Sequence, residues 1–284
     1  MRSKICMLAI LSLLLPIISY AQNQDNSPVR ELFGKAGMEK ELQQLPSAIQ
    51  VLFDQSIQQD DGARKLPKEV LSAMRASLPQ AFAPERLKKT VLAELAAKLT
   101  DHDINDVIQW LDSPIGRKCT QLEEAASTPE AQADMLQHSA ALRDSPPTPQ
   151  RLKVLREFDL AVKGTQSALD MAITTQVAVA LAINATFPAE RQMPLDEVSR
   201  ELEKNRPVLE ATVRSQVLIS HLYTYKNLTE EEIQLYTEFA KSPAGSKYHS
   251  AAMTGFKKAV LEGAAKWGEL IGNAIKEVRG DREA

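Results

Sequence analysis

The chain has 284 residues, with 34 Lys and Arg against 37 Asp and Glu, a formal net charge of −3 at pH 7. A balance this mild and slightly acidic offers no global attraction to nucleic acid. Two cysteines exclude a disulfide-built scaffold, so packing must hold the fold together.

In chain order, Arg2 and Lys4 precede the apolar stretch Ile5 to Ile18, and Ser19-Tyr20-Ala21 places small residues where a signal peptidase reads. The expectation is a cleaved secretory signal over 1–21, a flexible start over 22–29, and a periplasmic or secreted protein, the periplasm favoured. Cleavage leaves 263 residues, takes the net charge from −3 to −5, and makes Cys119 the sole cysteine. Its neighbours Ile115 and Leu122 suit a buried small hydrophobe. After residue 21 the most apolar run is Val177 to Ile183, too short to cross a membrane, so no transmembrane segment is expected.

Glycine, aromatic residues and β-branched alternation are sparse, and Ala, Leu, Glu, Gln and Lys dominate, which favours helices throughout. The pattern predicts helices over Glu31–Leu45 and Ser47–Gln59, then a loop at Asp60-Asp61-Gly62. Pro67 and Pro84 stand where helices begin, the second carrying Leu87, Val91, Leu92 and Leu95 on one side.

A block then appears that the chain spells twice. Leu99-Thr100-Asp101-His102-Asp103-Ile104 leads to Trp110, Ser113, Pro114, Gly116 and Lys118. Leu228-Thr229-Glu230-Glu231-Glu232-Ile233 leads, with a constant offset of 129, to Phe239, Ser242, Pro243, Gly245 and Lys247. Thr100 and Thr229 read as N-caps with Asp103 and Glu232 in the reciprocal position. Ser113 and Ser242 cap a second helix that opens on proline, and proline bends the chain there. Each glycine sits in that helix's first turn, where a missing side chain lets another helix approach. The unit is helix, bend, helix.

This arrangement divides the chain into an N-terminal helical repeat over 30–144, a proline-rich connection at 145–149, and a C-terminal repeat over 150–284. A long helix is predicted from Gln150 to Phe187. Another runs from Pro243 to about Arg279, where Phe256, Val260, Ala264, Trp267, Ile271, Ile275 and Val278 form a stripe. Tyr236, Phe256, Val260, Trp267 and Ile271 are candidates for an interface or for lining a pocket between helices. The expected fold class is all-α, a multi-helix, bundle-like architecture of two related halves.

The paired pattern of Leu-Thr, an acidic cluster, an aromatic residue and Ser-Pro-x-Gly resembles the DUF2059 family of bacterial exported proteins. Leu228 to Lys247 is the clearest such unit, with Trp110 to Lys118 as a second copy. The resemblance implies an α-helical domain and brings no catalytic residue, cofactor or substrate with it.

No phosphate loop, dinucleotide fingerprint, zinc-protease helix or nucleophile elbow stands in the chain. Asp101, His102, Asp103 and Asp106 are the best candidate for chemistry, but acidic residues at a helix start are favourable without any ligand. The expectation is therefore a protein without evident catalysis, catalytic residue, metal or cofactor. It would be a binding or scaffold component whose partner is a protein or peptide, or a second copy in a homodimer. The first rival is a small apolar ligand or lipid held between helices, and the second a hydrolase whose site converges only in three dimensions.

Overall fold

The computed structural model describes residues 27–59, 66–187 and 189–283. The expected signal segment, the first residues after it and the loop expected at Asp60-Asp61-Gly62 lie outside the described residues, as do the side chains of Val278 and Arg279. Among the described residues the protein is all-α, with thirteen helices, one short 3-10 turn and no strand. In order these are α1 (Pro28–Lys35), α2 (Met38–Gln59), α3 (Lys68–Ala81), α4 (Pro84–Lys98), α5 (Asp101–Leu111), α6 (Pro114–Ala126) and α7 (Pro129–Asp144). After the proline stretch follow α8 (Pro149–Val162), α9 (Gly164–Asn184), α10 (Leu195–Glu203), α11 (Arg206–Thr224), α12 (Glu230–Lys241) and α13 (Pro243–Glu283).

Proline writes many of these starts. Pro28, Pro84, Pro114, Pro129 and Pro149 stand in the first turn of their helices, where the missing N–H is no loss. Two boundaries differ from the sequence expectation. The break foreseen between Leu45 and Ser47 falls instead at Gly37, which takes φ of 71°, and α2 continues through Pro46. Glycine reaches that left-handed geometry without a Cβ penalty, so the chain turns there, while α2 carries Pro46 in its interior.

The single helix foreseen from Gln150 to Phe187 is two. Lys163 turns left-handed at φ 56°, and Asp159 holds the corner by accepting from the Thr165 amide and hydroxyl, both at 2.8 Å. Those two bonds offset a turn that costs a side-chain-bearing residue about 1–2 kcal/mol.

The largest core gathers Leu32, Phe33, Phe53, Phe82, Leu95 and Val107 from before the proline stretch with Ala182, Val260, Trp267 and Ile271 from after it. Helix α13, about 60 Å long at 1.5 Å per residue, packs against α3, α4, α5 and α9. A second cluster joins Cys119 on α6 to Leu155 and Phe158 on α8, Tyr225, and Ile233 on α12. Each of these two cores therefore crosses residues 145–149.

By length and composition alone α9, which contains the run Val177 to Ile183, is long and apolar enough to cross a membrane. It packs instead against α13, α11, α10 and α2. Its Asp170 pairs with Arg206 at 2.7 Å and Lys257 at 3.5 Å.

Candidate functional site

The two motif segments repeat their local geometry residue by residue. Thr100 Oγ1 accepts from the Asp103 amide at 3.2 Å while Asp103 Oδ2 accepts from the Thr100 amide at 3.0 Å. Thr229 and Glu232 make the same reciprocal pair at 3.2 and 2.9 Å. Ser113 Oγ accepts from the Gly116 amide at 3.0 Å, and Ser242 Oγ from the Gly245 amide at 3.0 Å. At each corner the glycine presses on the last turn of the preceding helix. A Cβ on Gly116 would stand 2.0 Å from the Trp110 carbonyl oxygen, and one on Gly245 2.1 Å from that of Phe239.

Between the segments the lysines cross. Lys118 donates to both Glu232 carboxylate oxygens at 2.7 and 2.8 Å, and Lys247 to both Asp103 oxygens at 2.9 Å. Trp110 and Phe239, at matching positions, stack with centroids 4.7 Å apart and planes 6° from parallel. Tyr236 lies against Trp110 at 5.5 Å. Eight of the ten motif residues are thus occupied in capping, close approach or cross-pairing, and Pro114 and Pro243 are the first residues of their helices.

Lys247 and Thr100 hydrogen-bond Asp103 and hold its carboxyl down at about 2. A carboxyl depressed in the folded state stabilises above its unfolded value and loses that contribution as pH falls through the folded one. Stability from this pair should therefore be intact above pH 4 and fade towards pH 2. In Lys247→Met, a carboxylate NMR titration should show the Asp103 midpoint moving up towards the ordinary range. An unmoved midpoint would mean that Lys247 does not hold it.

Of the interface or pocket candidates, Val260, Trp267 and Ile271 have no exposed surface and lie in the main core. Phe256 is half-buried against the same core and Tyr236 against the second. The α13 stripe is taken up by the intramolecular face of α3, α4, α5 and α9, and none of the five residues lines the clefts described below.

His102 is 85% exposed, with Nδ1 3.6 Å from Asp106 Oδ1. No cluster of three or more His, Cys, Asp or Glu is placed to hold a metal among the described residues. Cys119 is buried, and desolvation with the charges of Glu123 and Glu232 pushes its thiol up to about 12, leaving no thiolate for nucleophilic attack.

Glu123 marks a more unusual place. Its Oε1 accepts from the Tyr225 hydroxyl at 2.7 Å, yet burial still drives its carboxyl upward. Across a cleft of about 30 Å³, room for one water, stands Glu41. Desolvation, then the Glu123 charge, push Glu41 up to about 7. A carboxyl raised on folding stabilises fully below its unfolded value and loses that stabilisation as pH rises through the folded one. Stability should therefore decline between pH 4.5 and 7. Glu41→Gln should remove the share of that decline that Glu41 contributes beside Glu123, on the order of 1 kcal/mol because Glu41 is exposed to water. Denaturant midpoints across this pH range check it.

A cleft of about 600 Å³ opens between α8 and α11. Leu155, Leu160 and Leu218 give it an apolar floor and lip, and Arg156 and Arg214 border it. His221 Nε2 lies 3.4 Å from Asp159 Oδ1 at one end. Ser215 also lines the cleft, but no hydrogen bond joins it to His221, so a Ser-His-Asp relay is not assembled. None of these residues stands out as a site in the sequence. The missed signal is spacing: Arg214, Leu218 and His221 recur at four and three residues on α11, and Arg156 and Leu160 at four on α8.

With the corner geometry in place, the comparison with known families becomes specific. Residues 85–142 match the DUF2059 family. That family is described as an uncharacterized protein conserved in bacteria. The DUF2059 match runs from α4 into α7 and includes the first motif segment with its two capped helix starts. No curated protein and no solved structure matches the chain.

Proposed function

We propose that this is an exported, periplasmic binding or scaffold protein without catalytic activity. Its two motif segments are copies of one helix-corner unit arranged about an approximate twofold axis. The observation that carries this reading is the crossed pairing of Lys118 with Glu232 and Lys247 with Asp103. Residues equivalent under the 129-residue offset exchange partners, as symmetry about the Trp110–Phe239 stack requires.

The motifs serve as a frame, and binding falls to surfaces that the frame positions. Of these the α8/α11 cleft joins an apolar floor to charged rims, the usual character of a small-molecule site. This favours the small-ligand reading over a protein or peptide partner or a homodimer. The test is native mass spectrometry of protein purified from a bacterial envelope fraction without detergent. A stoichiometric retained species supports binding. Ligand-free monomer, with hydrolysis of generic ester or peptide substrates, would overturn the reading.

A further inference from the structure

The α8/α11 cleft has a charge pattern that selects one class of ligand. Arg156 has no ion-pair or hydrogen-bond partner among the described residues, although Asp159 and Ser215 line the same opening. Arg214 pairs only with Glu210, one turn earlier on its own helix, an exposed pair of little worth. Asp159 also faces the cleft, but its carboxylate is occupied by the Thr165 amide, the Thr165 hydroxyl and the His221 imidazole. Burial opposes its ionisation, and the bonds from His221 and Thr165 outweigh burial and lower its pKa. The uncommitted charge is therefore a guanidinium, and it is positive.

The apolar side is equally unpartnered. Leu160, four residues after Arg156, is 77% exposed, the greatest exposure among the large hydrophobic residues described. With buried Leu155 and half-buried Leu218 it supplies apolar lining to the cleft at every level of exposure. Isolated exposed leucines mean little, but one that extends an existing apolar cleft beside a free guanidinium has a consequence. The second open groove, about 460 Å³ between α7, α9 and α11, has no charged residue in its lining and selects nothing by charge.

From this placement we infer that the cleft binds a single-chain anionic amphiphile, its carboxylate or phosphate on Arg156 with Arg214 beside it, and its chain along Leu155, Leu160 and Leu218. A guanidinium presents a planar fork that matches either head group, and this class covers free fatty acids and lysolipids alike. The assignment rests on the binding-protein reading above and narrows its ligand.

The experiment is titration calorimetry of the full mature protein with dodecanoate, dodecyl phosphate and dodecyltrimethylammonium, all below their micellar concentrations. Phosphatidylglycerol vesicles form a separate arm. The expected result is binding of both anions at one site and none of the cation. Arg156→Ala should weaken the anions about tenfold, the loss of one charge-assisted contact. Leu160→Asn should weaken the twelve-carbon chain more than the six-carbon analogue, which an adventitious surface arginine would not do. Monomer binding without vesicle binding identifies a free amphiphile as the source, and vesicle binding abolished by Arg156→Ala identifies a lipid head group. Equal affinity for anion and cation, or affinity unchanged in Arg156→Ala with folding intact, would overturn the assignment. A different species retained in native mass spectrometry would at the same time leave the binding-protein reading standing.

Discussion

Gly116→Ala is expected to destabilise the protein by about 3–5 kcal/mol, at the far end of what one methyl group does. Alanine is the better helix former by about 1 kcal/mol, so propensity alone predicts a gain. Sterics reverse the sign. The new Cβ would stand 2.0 Å from the Trp110 carbonyl oxygen and 2.8 Å from its carbon, both backbone atoms that cannot swing away. Relief requires opening the α5/α6 corner, which moves Lys118 from Glu232 and Trp110 from Phe239. Gly245→Ala should behave alike, with 2.1 Å to the Phe239 oxygen. Gly272 supplies the control, since its Cβ would meet nothing within 4 Å; Gly272→Ala should stabilise α13 by about 0.5–1 kcal/mol. His102→Ala, on an exposed face, should change stability by less than about 0.5 kcal/mol. Denaturant unfolding of the four variants measures all of this. A Gly116→Ala midpoint equal to wild type would show that the corner has slack the geometry denies.

Trp267→Ala should cost about 3–5 kcal/mol by a different route. The indole has no exposed surface and is wedged between Phe53 and Phe82, edge-on to both at 5.3 and 5.9 Å. Its Nε1–H donates to the Met74 carbonyl at 2.9 Å, tying α13 to α3. Truncation leaves a cavity among three helices that are fixed elsewhere and cannot collapse into it. Trp267→Phe separates the two contributions, keeping most of the volume and losing the hydrogen bond, at about 1–2 kcal/mol. If the alanine and phenylalanine variants melt together, the hydrogen bond and not the packing carries the site.

Much of this architecture is legible in the amino-acid order, because local signals and tertiary demands agree where it matters. Thr100 with Asp103, Thr229 with Glu232, and Ser-Pro at each corner specify helix starts by chemistry confined to four residues. The corner at Lys163 was not legible, since it depends on Asp159 reaching forward six residues and on a left-handed lysine that no propensity favours. The α13 stripe announces that it is buried but not against what. Periodicity gives a face and no partner, so Trp267 reads equally well as interface, pocket wall or core. The cleft escaped for a related reason: Arg156 and Arg214 lie 58 positions apart, and only the packing of α8 beside α11 puts them on one opening.

Helix α13 has a consequence for how the molecule comes apart. Because it lies along α3, α4 and α5 as well as α9, neither side of the proline stretch keeps its apolar surface covered alone. A protease nick within Ser145–Pro149 should yield two fragments that co-elute as one particle. Separated in denaturant, each should aggregate by itself and regain helical tertiary order only when the other is restored.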